Sequence, residues 1–131
     1  MDPRLNRLAL AQAGLLAAAA LFAAFPAFAG DPGRGKGVFN SQCSLCHSAS
    51  RNGPAIIGPP LFGVVGRPAG SVKDYAYSAG MKSAGITWTD AQLRAYLPAP
   101  RAKVPTTKMT YGGVKNPTQL DDLIAYLDTL K

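Results

Sequence analysis

Both cysteines and the single histidine of this chain fall within five consecutive residues, Cys43-Ser44-Leu45-Cys46-His47. That clustering limits what the chain can build. Two cysteines cannot form a disulfide-rich scaffold. One histidine excludes any centre that needs two imidazoles, such as a His₃ or HExxH zinc site. A zinc knuckle needs four ligands, and this cluster supplies Cys43, Cys46 and His47. A thioredoxin-like C-x-x-C needs a βαβ context, and no strand alternation is visible. A plain structural disulfide leaves the adjacent histidine unexplained.

The spacing is that of C-x-x-C-H, the attachment signature of a c-type haem. Two thiols one helical turn apart can add to two vinyl groups on one porphyrin edge. The histidine that follows then lies under the ring and can ligate iron. One such motif implies one haem c, attached through Cys43 and Cys46. Of the candidates for a sixth iron ligand, no second histidine exists, which leaves Met81, Met109 and lysines. Met109 follows Pro105-Thr106-Thr107-Lys108, an extended loop that can carry a thioether to the far face of the ring. It is the expected ligand, and Met81 is expected to fill core.

The first 29 residues read as an address. Arg4 and Arg7 precede an uncharged run from Ala13 to Phe25, Pro26 breaks it, and Ala27-Phe28-Ala29 forms an A-x-A cleavage site. This is a Sec-type secretory signal. The rival is an uncleaved anchor, for which Leu8 to Ala29 almost reaches the ~20 apolar residues needed. The short apolar region favours cleavage after Ala29. The domain then runs over residues 30–131 with 12 basic and 6 acidic side chains, a formal charge of +6. A chain this short gains from a cofactor in its core. Export places it in the periplasm, where haem attachment of this kind occurs in bacteria.

The domain is expected to be all-α. Asp31-Pro32 reads as an N-cap followed by proline at the first helical position, opening a helix to about Gln42. Gly33, Gly35 and Gly37 weaken that helix, so something should approach it closely. Ser48 to Gly70 is a Gly/Pro-rich loop that needs something to pack against. Thr89-Asp90-Ala91-Gln92 is a capping box whose helix ends before Pro98. Pro98, Pro100 and Pro105 should make the next segment extended. Asn116-Pro117 opens a last helix with Leu120, Leu123, Ile124, Leu127 and Leu130 on one face.

These residues resemble the class I cytochrome c family, in the form shared by the mitochondrial protein and its bacterial periplasmic relatives. The resemblance covers residues 30–131. It rests on Gly35, Phe39, Cys43, Cys46, His47, Gly58-Pro59, Arg67, Tyr77, Gly85-Ile86-Thr87-Trp88, Tyr96-Leu97, Thr107-Lys108-Met109 and Asp122 to Leu127. It implies short helices and long loops wrapped around one haem, with His47 proximal and Met109 distal. The Pro59 carbonyl would hold the His47 ring. Arg67, Tyr77 and Trp88 would bond or neutralise the propionates, and Tyr96 and Thr107 would lie near the Met109 sulfur. Gly35, Phe39, Leu123 and Tyr126 would form the crossing of the first and last helices.

Three positions depart from the family, besides a mild change at Tyr111, which replaces the usual Phe. Met81 stands where a polar residue is usual, and Gln42 and Ile56 stand where mitochondrial forms carry lysine. Arg101, Lys108 and Lys115 remain, so steering of an acidic partner should weaken.

The expected function is one-electron transport through an exposed haem edge, not catalysis. Transient docking to membrane redox complexes is expected: a quinol-oxidising donor, and an oxidase or photosynthetic acceptor. Nucleic acid and small-molecule substrates are not expected, and the protein should be a monomer. The rivals are a haem enzyme or gas sensor with an open sixth site, and a dedicated subunit of one oxidoreductase.

Overall fold

Asp31 starts the first helix by chemistry that is local. Its backbone is extended, and its carboxylate accepts a hydrogen bond from the Arg34 N–H at 2.7 Å. The structure, a computed structural model, describes residues 29–131. The export signal read over residues 1–29 lies outside the described residues, apart from Ala29. Five helices follow in order: α1 Pro32–Gln42, α2 Ala79–Ser83, α3 Asp90–Tyr96, α4 Pro100–Lys103 and α5 Pro117–Asp128. Among the described residues the extended pairing is one isolated bridge, between Pro68 and Thr87. The all-α expectation stands.

α1 and α5 are the longest helices and pack against each other. The Asn116 side chain caps α5, accepting from the N–H groups of Thr118 at 2.9 Å and Gln119 at 3.1 Å. α5 buries Leu123, Ile124 and Leu127, which meet Val38 and Phe39 of α1 in one apolar cluster. Phe39 and Tyr126 pack with ring centroids 5.4 Å apart, tilted by 54°.

Gly35 makes the crossing possible. A Cβ at that position would overlap the Asp122 carbonyl and come within 2.8 Å of the Tyr126 Cβ. The other two α1 glycines have no such neighbour: Gly37 faces open space, and Gly33 meets the Asp31 carboxylate at its own cap. Gly35→Val should therefore destabilise the domain by about 3 kcal/mol, the upper end for overpacking, because backbone rather than a flexible side chain must yield. Denaturant unfolding checks this; a midpoint equal to wild type would contradict the backbone contact.

A buried carboxylate ties the same crossing. Asp122 accepts from Arg34 Nε at 2.8 Å, from Arg34 Nη2 at 3.1 Å and from the Asp31 N–H at 2.7 Å. The Arg34 hydrogen bond, then the Asp31 N–H, holds its carboxyl below the ordinary carboxylate value. A depressed folded value means a stabilising contribution that is present above the unfolded carboxylate range. It is lost as pH falls through the folded value. Asp122→Asn should lower stability at neutral pH and flatten the fall in denaturant midpoint on acidification. An unchanged acid slope would remove Asp122 from that role.

Two local expectations are corrected. The capping box at α3 is half made: Thr89 Oγ1 accepts from the Gln92 N–H at 3.3 Å, but Gln92 Oε1 is buried without a partner and the Thr89 N–H goes to the Thr87 carbonyl. The segment from Pro98 to Pro105 is not extended throughout. Pro100 sits at the start of α4, where its missing N–H costs nothing and its fixed φ suits the first helical turn. Pro100 is also fully buried, so packing holds the turn.

Candidate cofactor cleft

The C-terminus of α1 delivers the motif. Cys43 caps the helix with its N–H on the Phe39 carbonyl, and the N–H groups of Cys46 and His47 both reach the Cys43 carbonyl at 3.0 Å. This tight turn puts Cys43, Cys46 and His47 on the wall of a cleft of about 340 Å³, a size usual for cofactor sites. Both cysteines are free and half-buried. Burial, and then the nearby Cys46, pushes the Cys43 thiol up to about 11. At neutral pH the free thiol therefore keeps its proton.

The His47 ring is held on two sides. Nδ1 lies 2.7 Å from the Pro59 carbonyl, which can only accept, so Nδ1 carries the proton and Nε2 keeps a lone pair. Gly58 packs under the ring: a Cβ there would overlap Cε1 and sit 2.7 Å from Nδ1. Burial lowers the His47 value most, Arg67 adds to that, and the Pro59 carbonyl opposes it. The imidazole is neutral at neutral pH, the form that binds metal.

A second polar group lies on the same cleft. The hydroxyls of Tyr96 and Thr107, both buried, are 3.1 Å apart. The Tyr96 O–H reaches the Met109 sulfur at 3.5 Å, and the Met109 N–H donates to Thr107 Oγ1 at 3.3 Å. Burial raises the Tyr96 phenol, so it stays protonated and donates. α3 supplies Tyr96, and the loop after α4 supplies Thr107 and Met109.

The remaining expected residues also line the cleft. Arg67 spends two of its five N–H donors on the carbonyls of Phe62 at 3.2 Å and Pro60 at 3.0 Å, leaving donors for an anionic group. The Tyr77 hydroxyl accepts from the Val72 N–H at 3.4 Å, and its own proton is free. Trp88 is buried against Tyr96 with centroids 4.8 Å apart. Met81, 8% exposed, joins the apolar wall with Val64, Leu93, Leu97 and Leu127. The ten residues expected at the site therefore all face one cleft.

A cytochrome c family profile matches residues 33–131. The chain belongs to the cytochrome c family. It is 45% identical over 98 residues to cytochrome c-550 of Nitrobacter winogradskyi, covering 75% of this chain and 89% of that protein. It is 44% identical over 102 residues to cytochrome c2 of Blastochloris viridis, covering 78% and 80%. With cytochrome c2 of Rhodomicrobium vannielii it shares 43% over 115 residues, 88% of this chain and 91% of the relative. Family members are electron-transfer proteins rather than enzymes, and they bind haem c through two cysteines. Cys43 and Cys46 are those cysteines here, and the apolar cleft beside them, with a neutral imidazole on its wall, fits the group. Among the described residues no helix is long and apolar enough to cross a membrane.

Three features escaped the sequence. The Arg34–Asp122 pair joins residues 88 apart, and nothing local marks it. Gly58 reads as a turn residue in a Gly/Pro run, but its role is to admit the His47 ring. Tyr75 holds the cleft mouth by donating to the Ile57 carbonyl at 2.9 Å; its sequence neighbours give no sign of that partner.

Proposed function

We propose that the protein is an exported, periplasmic one-electron carrier whose iron is held between His47 and Met109. The observation that carries the ligand pair is the Met109 thioether fixed on the cleft wall by Tyr96, with Tyr96 in turn fixed by Thr107. Haem c supplies a one-electron iron couple when bound. The chain's own residues do the rest. Pro59 and Gly58 hold the imidazole on the cleft wall with Nε2 unprotonated. Tyr96 and Thr107 position the sulfur, and Val64, Leu93, Leu97 and Leu127 exclude water. Arg67, with Tyr77 and Trp88 nearby, offers donors and positive charge for propionates. With His47 and Met109 both holding the iron, the chain would leave no open position there for a substrate. Met/His ligation also raises the reduction potential.

The expected partners are membrane complexes: a quinol-oxidising donor and an oxidase or photosynthetic acceptor. Stopped-flow reduction and oxidation against such complexes across ionic strength tests this. Fast exchange with both classes supports the shuttle. Rapid binding of azide or carbon monoxide by the native protein, without displacement of a ligand, would overturn the closed-site reading. The address at residues 1–29 implies a mature N-terminus at Gly30, which mass spectrometry reads directly; an intact Met1 contradicts cleavage.

A further inference from the structure

Three large apolar side chains stand in water among the described residues: Leu45 at 82% exposure, Ile57 at 68% and Ile56 at 53%. They come from two segments that the backbone draws together. The Gly58 N–H donates to the Cys46 carbonyl at 2.8 Å, and the Ile56 N–H to the Gly58 carbonyl at 3.1 Å. The loop at residues 56–58 therefore lies against the turn that carries Leu45. Cys46 and Ile57 both line the cleft, so the patch runs into its mouth.

The patch carries no charge of its own. Between Gly37 and Gly66 the single charged residue is Arg51. Its guanidinium lies over the Phe62 ring, 4.6 Å from the centroid, and donates to the Lys131 carbonyl at 3.3 Å. Residues 91–120 hold Arg94, Arg101, Lys103, Lys108 and Lys115 with no acid, and of these Lys108 lines the same cleft as Ile57, with its ammonium on the Ala76 carbonyl at 2.7 Å.

We propose that Leu45, Ile56 and Ile57 are the contact patch for a redox partner that presents an uncharged, apolar face beside its own cofactor. The proposal rests on the electron-carrier reading above. Its size selects the occupant. Three side chains cannot supply the roughly 1,200 Å² or more that a stable dimer buries, whereas weak redox encounters fall below that area. Position points the same way, because the patch is continuous with the cleft that would hold the haem. Apolar contact is not screened, so association through it should vary little with salt, unlike steering by lysines.

The test is protein-film voltammetry of the haem-loaded protein on gold coated with methyl-terminated or carboxylate-terminated alkanethiol. Wild type should exchange electrons on the methyl surface at a rate that holds as ionic strength rises. Leu45→Lys/Ile56→Lys should slow that exchange about tenfold at an unchanged potential. Leu45→Ser/Ile56→Ser, which adds no charge, should slow it too. Ala91→Lys/Thr118→Lys, with the same added charge on exposed helix positions, should not. Undiminished exchange in both Leu45/Ile56 variants would overturn the proposal. So would a concentration-dependent dimer in sedimentation that the Lys variant abolishes, since the occupant would then be a second copy. A reversible wave on carboxylate but none on methyl overturns this proposal alone. No reversible wave on either surface overturns the electron-carrier reading beneath it.

Discussion

Cys43→Ala/Cys46→Ala is expected to leave little folded protein. The cleft of about 340 Å³ opens at the centre of the apolar cluster, and its walls come from α1, α2, α3, α5 and the loops that join them. Without the haem, water would enter this cleft through its mouth, and the apolar side chains on its walls would lose much of the burial that stabilises the fold. Without the thioethers, the long loop from Ser48 to Ser78 also loses the surface it wraps. Far-UV circular dichroism and haem absorbance after expression with the attachment machinery check both points. A cooperatively unfolding apo form of native helicity would show that the helices alone make the core.

Met109→Ala should open the sixth position and lower the reduction potential by roughly 0.1–0.3 V, a fraction of the ~0.8 V that axial ligands span. The weak methionine–iron charge-transfer band should vanish, and external ligands should bind. Loss of the thioether also strips the Tyr96 hydroxyl of one partner while Thr107 remains, so the pocket keeps its hydroxyl pair. Unchanged spectra would mean a different ligand. Met81 is the alternative, because it lines the same cleft; complete loss of the band in Met81→Asn, with Met109 intact, would establish it. With Met109 as the ligand, Met81→Asn should shift the potential modestly and leave the band.

The motif and the helix starts were legible because each depends on near neighbours or on a repeating pattern, whereas the two-helix crossing came from the family resemblance. Asp31 and Asn116 cap their helices through donors two or three residues away. Leu123, Ile124 and Leu127 recur with the helical period, and all three are buried. Pro100 misled for a related reason. Its chemistry allows both an extended segment and a first helical turn, and burial chose between them. The thinned basic ring was legible at Gln42 and Ile56. The apolar patch was only partly so: Ile56 and Ile57 are adjacent in the sequence, but Leu45 is drawn to them by the Gly58 N–H on the Cys46 carbonyl, a bond that no local pattern announces.

By itself the sequence determined the cofactor and how it is attached, since the residue types and spacing of Cys43, Cys46 and His47 leave one fitting chemistry. It also determined the all-α class, the long helices and the family. Tertiary structure decided how the site is tuned. The Pro59 hold on the His47 ring, the Tyr96 contacts with Thr107 and Met109, and the Arg34–Asp122 tie all join groups from 11 to 88 residues apart. Their strength depends on burial and on angles between partners. Those quantities exist only once the loops have closed around a common centre.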